Sequence, residues 1–219
     1  MKKFALKSYR FRSGFVGSLF VAILFVAICC LGIPNIGNAE TSKGENSRFD
    51  TLESKYISAQ NDYKTNLNNI EAILEKTKTI KTRADNAKNK AIAAAKKAIA
   101  TKADKQTSAN AQAKEGEYMS ATFKVMEISD DARVAASKAS AELNRAKAIK
   151  DKIEGNYAKA KEGNSVALSK FEAIINEYEN AVKKATTLIN EFEALTNEYE
   201  KAVGEFEKTA KEYEEATLK

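Results

Sequence analysis

The 219-residue chain contains no histidine and no tryptophan, only one proline and only two cysteines. Without imidazole it cannot form a Ser-His-Asp or Cys-His catalytic site or a His-ligated zinc site, and it lacks the side chain that titrates near neutral pH. The single proline, Pro34, leaves the whole chain after it without this helix breaker. Both cysteines, Cys29 and Cys30, lie in an apolar segment near the N-terminus, so the remainder of the chain has no disulfide or thiol chemistry.

Residues 1–39 have the pattern of a secretory signal peptide. Five cations and no acid precede residue 15, and residues 15–33 carry no charge. The small residues Gly37 and Ala39 stand at positions −3 and −1 of a cleavage site, so we expect export and cleavage after Ala39. An uncleaved signal anchor over 15–33 is the alternative, because a segment of this length is also able to span a bilayer.

Charge is distributed in blocks along the chain. The formal net charge of the whole chain is +6, but the first 39 residues contribute five cations and no acid, so only +1 remains after them. Residues 76–114 contain eleven Lys or Arg and two Asp, a net charge of +9. Residues 172–217 contain twelve Glu and five Lys, a net charge of −7. Such asymmetry indicates either a charged partner or two blocks that face each other.

Aromatic residues recur with a seven-residue spacing. From residue 169 onward the sequence divides into seven heptads without an insertion, and the same period appears after residue 49. Apolar residues at three positions of each heptad form the wide stripe of a helix that packs in a bundle. The aromatic members of this stripe are the predicted packing seam, which comprises Phe49, Tyr56, Tyr63, Tyr157, Phe171, Tyr178, Phe192, Tyr199, Phe206 and Tyr213.

The sequence therefore predicts an all-α fold, in which about three long heptad-repeat helices form an antiparallel up-down-up bundle or coiled coil. One extended coiled-coil rod is the alternative. Gly116 and the pair Gly163–Asn164 are residues that commonly end helices, and they are the predicted turns. With these turns, the helices lie near 46–114, 117–162 and 165–219, residues 40–46 form a disordered linker, and 47–219 form the helical domain.

In an up-down-up bundle the first and third helices run parallel. The C-terminal half of the first helix, which is basic and rich in alanine, then lies beside the acidic, aromatic C-terminal half of the third. A column of aromatic rings is expected to pack against small residues rather than against another aromatic column. Size and charge thus predict the same pairing, within one chain or between chains.

The basic block is also a candidate binding patch for an anionic membrane or glycan surface. Its residues are Lys76, Lys78, Lys81, Arg83, Lys88, Lys90, Lys96, Lys97, Lys102 and Lys105. Nucleic acid is a disfavoured partner, because no aromatic residue that would stack on bases lies between Tyr63 and Tyr118.

We expect an exported, non-enzymatic coiled-coil protein of the periplasm or cell surface, with a structural or adhesion role. It would act through contacts with a protein partner or with itself, and we expect no catalytic residue, metal or cofactor. The alternative is a periplasmic holdase-type chaperone, or a protein that binds anionic surfaces through the basic helix 76–114.

Overall fold

The computed structural model describes residues 43–101, 105–162 and 164–218, which belong to one compact unit. They form three helices, α1 (Lys43–Thr101), α2 (Lys105–Lys161) and α3 (Ser165–Leu218). At about 1.5 Å per residue these helices are roughly 80 to 90 Å long. The predicted signal peptide or anchor lies outside the described residues. Within the described residues, no helix is long and apolar enough to cross a membrane.

The three helices pack side by side as an all-α, up-down-up bundle, as the sequence predicts, and not as one extended rod. α1 and α3 run parallel, since Arg48 contacts Glu172 near one end and Arg83 contacts Glu207 near the other. α2 runs antiparallel to α3, since Lys124 in its first half contacts Glu205 in the second half of α3.

α3 is the central helix of the bundle, because it packs extensively against both α1 and α2, whereas α1 and α2 contact each other much less. α2 approaches α3 with small side chains: Ala132, Ala139 and Ala146 are fully buried at seven-residue intervals. The facing heptad column of α3 carries mostly large side chains, of which Tyr178 and Phe192 are also buried. Large residues against small ones fill the interface without voids and let the two backbones approach closely.

Asn164 caps the N-terminus of α3, in agreement with the turn predicted at 163–164. Its side-chain oxygen accepts hydrogen bonds from the backbone N–H groups of Val166 (3.0 Å) and Ala167 (3.3 Å). Its backbone oxygen accepts from the N–H of Leu168 at 2.8 Å. The two side-chain bonds satisfy N–H groups that have no partner within the helix, which is why asparagine is favoured at this position.

The turn predicted at Gly116 is wrong. The chain reverses between Thr101 and Lys105, and Gly116 is an exposed residue inside α2. Tertiary packing explains the difference: Tyr118 of α2 packs in the same cluster as Ala84 of α1, so the reversal has to lie near residue 101, midway between them. One glycine inside a helix costs only about 1 kcal/mol, which this packing exceeds.

The predicted start of the helical domain also changes. α1 begins at Lys43 rather than near residue 47, so residues 43–46 of the predicted disordered linker are helical. Residues 40–42 lie outside the described residues. Because the reversal lies before residue 105, the basic block is divided between α1 and α2, and Lys105 and Lys114 belong to α2.

Candidate functional site

The predicted packing seam lies inside the bundle. Eight of its ten aromatic side chains are buried, while the other two, Tyr157 and Tyr213, are half-buried. The buried eight are Phe49, Tyr56, Tyr63, Phe171, Tyr178, Phe192, Tyr199 and Phe206. The seam is therefore occupied by contacts within the chain.

In the half of the bundle that contains the α1–α2 connection, the aromatic seam packs against small residues, as expected. Phe206 is buried together with Ala84, Ala87 and Ala91 of α1. Tyr118 of α2, which the predicted seam did not include, completes this cluster, and its ring lies 5.3 Å from the ring of Phe206 between centroids. The other residues of its heptad column are aliphatic, so the repeat of aromatic residues that predicted the seam did not identify Tyr118 as a member.

In the other half of the bundle, the expectation that aromatic columns avoid each other is wrong. The rings of Phe49 and Phe171 stack with their centroids 5.9 Å apart, and the edge of the Tyr157 ring meets Phe49 at 5.4 Å. α2 contributes a third ring at this level, because Tyr157 also lies 6.0 Å from Phe171. One aromatic ring from each helix thus packs together at this end of the bundle.

Ion pairs join the basic block to the acidic block along the edge between α1 and α3. The ammonium group of Lys76 lies 2.8 Å from a carboxylate oxygen of Glu200. Arg83 donates two hydrogen bonds to Glu207, at 3.1 and 2.6 Å, and lies 3.8 Å from Glu200. The structure therefore brings the two blocks together within one chain.

A second row of ion pairs lies along the edge between α2 and α3. Lys114 contacts Glu212 at 2.8 Å, and Lys124 contacts Glu205 at 2.7 Å. Further along, Lys184 of α3 donates to Glu142 of α2. Lys114 was part of the basic block in the sequence, but it reaches the acidic helix from α2 rather than from α1.

These ion pairs shift the ionisation of their members in the direction that favours charge. Hydrogen bonds from Lys76 and from Lys114 lower the pKa of Glu200 and of Glu212. The hydrogen bond to Glu207 raises the pKa of Arg83. All of these side chains remain accessible to water, so each pair adds little to the stability of the fold. We infer that the charges select the alignment of the helices while aromatic burial stabilises it.

The candidate anionic-partner patch is not one continuous surface. Lys76 and Arg83 face α3 and its glutamates, and Lys78 lies 3.6 Å from Glu75 on its own helix. Lys81 and Lys88 are half-buried, whereas Lys90, Lys96 and Lys97 are exposed. Lys102 lies outside the described residues, and Lys105 lies in α2, with a side chain that the structure does not describe.

A buried polar layer, which the sequence analysis missed, interrupts the apolar packing of α1 against α3. The side chain of Asn66 is 3% exposed and donates to the hydroxyl of Thr186 (2.9 Å) and to the backbone oxygen of Val182 (3.2 Å). Farther along, the hydroxyls of Thr77 and Thr196 lie 3.2 Å apart. A signal was present, because Asn66 is polar in an otherwise apolar heptad column. A single polar residue at such a position commonly fixes the register of coiled coils.

No group of three or more His, Cys, Asp or Glu side chains among the described residues is placed to hold a metal ion. Burial, and then its hydrogen bond to Glu53, raises the pKa of Tyr157 to about 12. Tyr157 is therefore a neutral hydrogen-bond donor at physiological pH rather than a nucleophile.

Compared with known proteins, the chain matches no family model, no curated protein sequence and no solved structure.

Proposed function

We propose that this chain is an exported, non-enzymatic helical-bundle protein that acts through protein–protein contacts, as a structural or adhesion component of the cell envelope or surface. The observation that carries the proposal is the use of aromatic side chains. Of the aromatic residues in the described part of the chain, only Phe123 is exposed. Because the aromatic seam is buried inside the bundle, the outer faces of its helices, which are about 80 Å long, are the surfaces available to a partner.

The direction of the carboxyl pKa shifts supports the non-enzymatic part of the proposal. Hydrogen bonds and charges of neighbouring cations lower the pKa values of Glu172, Glu200, Glu205 and Glu212. A carboxyl group that acts as a general acid near neutral pH needs the opposite shift, which an apolar pocket produces. These glutamates are instead suited to ion pairs at the edges of the helices.

Export is tested by the fate of residues 1–39. The full chain would be produced in a bacterial host, fractionated, and subjected to N-terminal sequencing and to protease digestion of intact and of lysed cells. We expect a chain that begins at Glu40 and is digested without lysis of the inner membrane. An intact N-terminus on a chain with the same accessibility would indicate the anchored version. Protection together with a cytoplasmic marker would contradict export.

The contact part of the proposal is tested by photo-crosslinking in cells. A photoreactive aromatic amino acid replaces the exposed Phe123, and the matched control replaces Tyr118, a buried aromatic residue of the same helix. We expect covalent protein adducts from position 123 and from other exposed positions on the three helices, but not from position 118. If a scan of the exposed faces gives no adduct, the proposal is wrong.

Binding to an anionic surface is less well supported as a function. The cations Lys76, Arg83 and Lys114 already pair with glutamates, which reduces the positive charge that they present to a partner. Co-sedimentation with vesicles rich in phosphatidylglycerol, at low and at high salt, tests this function. Strong binding that disappears at high salt would favour it over the structural role, because salt screens exposed charges.

A further inference from the structure

In the described part of the chain, α1 and α2 contact each other far less than either contacts α3, and together they form one outer face of the bundle. Contacts within the chain define which residues lie on it. Tyr157 of α2 donates to Glu53 of α1, so the heptad columns of these two residues face each other. Arg83 and Lys124 mark the opposite flanks of α1 and α2, since both contact glutamates of α3. The α1–α2 face comprises the columns next outward from Tyr157 and Glu53.

This face carries an apolar patch on α2. Met119 is 38% exposed, Phe123 is 57% exposed, and Met126, one heptad after Met119, is half-buried. Ile92 of α1, which is 40% exposed, lies in the outward column on the other side of the same face. Single exposed apolar residues are normal on protein surfaces, but a group on one open face is typical of a contact surface.

Charged residues next to the patch are arranged with opposite signs on the two helices. Glu53 lies beside Tyr157, and Ala84 lies in one cluster with Tyr118. The residue numbers of an α1 residue and an α2 residue at the same level along the bundle therefore add up to about 200 to 210. By this rule Glu71 of α1 is level with Arg133 of α2. In the same way, Lys78 of α1 is about level with Asp130 of α2.

Local ion pairs within one helix join some of these charges to their neighbours. Lys78 pairs with Glu75 at 3.6 Å and Arg133 pairs with Asp130 at 3.4 Å, each within one turn of its own helix and well exposed. Exposed pairs of this kind contribute a few tenths of a kcal/mol. They are therefore able to exchange partners at little cost when another surface approaches.

We infer that the α1–α2 face binds a second copy of this chain, with a twofold axis parallel to the bundle. A rotation about this axis places α1 of each copy against α2 of the other at the same level. Glu71 then meets Arg133 of the second copy, Lys78 meets Asp130 of the second copy, and Met119 and Met126 lie near the axis. The α1–α2 face is thus complementary to itself, which is the requirement for a twofold interface.

The available area is sufficient for such a dimer. From residue 64 to residue 88, α1 extends for about 36 Å, and two adjacent helices are about 20 Å wide. The product, about 700 Å² on each copy, approaches the roughly 800 Å² per partner of a standard interface. The inference depends on the proposed function, since it names the partner and the surface of the protein contacts proposed above.

Charge reversal and mixing test the inference on the full chain by sedimentation equilibrium. Each dimer contains two Glu71–Arg133 contacts, so Glu71→Lys or Arg133→Glu alone should raise the dissociation constant about tenfold. An equimolar mixture of the two variants should restore dimerisation, because opposite charges then meet in both contacts of the mixed dimer. A pair formed within one chain would not be restored by mixing.

Crosslinking gives a second readout that does not depend on these charges. In full chains in which serine replaces Cys29 and Cys30, a Met126→Cys variant is treated with a short bismaleimide. Asn180→Cys, at an exposed position on the outer side of α3, is the matched control. We expect crosslinked dimers from position 126 and almost none from position 180.

Three results would overturn the inference: a monomeric wild-type chain at all concentrations tested, a mixture that dimerises no better than its components, or equal crosslinking at positions 126 and 180. Circular dichroism establishes whether each variant is folded. If a charge-reversal variant does not fold, the crosslinking experiment alone tests the dimer. The proposed function fails separately. An exported monomer that forms adducts with other proteins would overturn only the dimer, and a dimer retained in the cytoplasm would overturn only the proposed function.

Discussion

Replacing Phe171 by alanine removes the side chain that contacts both other helices at one end of the bundle. Phe171 is fully buried, and its ring lies 5.9 Å from that of Phe49 in α1 and 6.0 Å from that of Tyr157 in α2. Truncation of a buried phenylalanine typically costs about 3–5 kcal/mol, because apolar burial is lost and a cavity remains. For a domain of this size, each kcal/mol lowers the melting temperature by about 2–4 °C.

We therefore expect Phe171→Ala to lower the melting temperature by about 6 to 20 °C in thermal unfolding followed by circular dichroism. Val166→Ala is the matched control, because Val166 lies in the first turns of the same helix and is 77% exposed. Its effect should stay within about 0.5 kcal/mol. A loss below about 1 kcal/mol for Phe171→Ala would refute the account of the aromatic core.

Three further predictions concern the helix interior, the ion pairs and the polar layer. Gly116→Ala should stabilise the protein by about 0.5–1 kcal/mol in urea unfolding, because the position is helical and a Cβ atom meets nothing within 4 Å, whereas a left-handed turn there would make alanine destabilising. The hydrogen bond from Arg48 lowers the pKa of Glu172 below its ordinary value of 4.5, so this ion pair stabilises the fold fully above pH 4.5. The stabilisation is lost as the pH falls through the lowered pKa. We therefore expect the melting temperature to fall in that pH range, and to fall less steeply in the Arg48→Gln variant. Asn66→Ala should cost about 1–2 kcal/mol in the same urea assay because it removes a buried hydrogen-bonded side chain, and no loss would show that the polar layer is dispensable.

The fold follows closely from the heptad repeat, because a stripe with this period specifies both the helices and the faces that they bury. The parallel arrangement of α1 and α3 also follows, since three consecutive antiparallel helices place the first beside the third. The contact between Arg83 and Glu207 is therefore a consequence of helix order and charge blocks, both of which are visible in the sequence.

The position of the first reversal was not predictable from local signals. Gly116 is a helix-ending residue by propensity, but the chain reverses near residue 101, within an alanine- and lysine-rich stretch without a glycine or proline. The level at which Tyr118 meets Ala84 decides this position, and that match depends on the whole length of two helices. A repeat predicts which face is buried but not where along its axis a neighbouring helix is aligned.

The details of the core depended on the third helix. A comparison of two columns suggested that aromatic rings would avoid each other, but Phe49 and Phe171 stack, and Tyr157 of α2 packs against both rings. Asn66 was visible as an interruption of its column, yet its partner Thr186 lies 120 residues away and is identified only by the register of α1 on α3. The α1–α2 face likewise depends on which pair of helices is held least tightly, which no local pattern reveals.

The parallel alignment of α1 and α3 is the central claim, and distances between pairs of spin labels test it most directly. Labels at the exposed positions 54 and 176, and in a second sample at 79 and 201, lie at matching levels of the two helices. Spin-diluted samples of the serine-substituted full chain should give distances below about 30 Å for both pairs, the width of such a bundle. Labels at 54 and 201 should be farther apart, because about 25 residues of helix, or roughly 37 Å along the axis, separate their levels. A short 54–201 distance together with long distances for the two matched pairs would contradict the account.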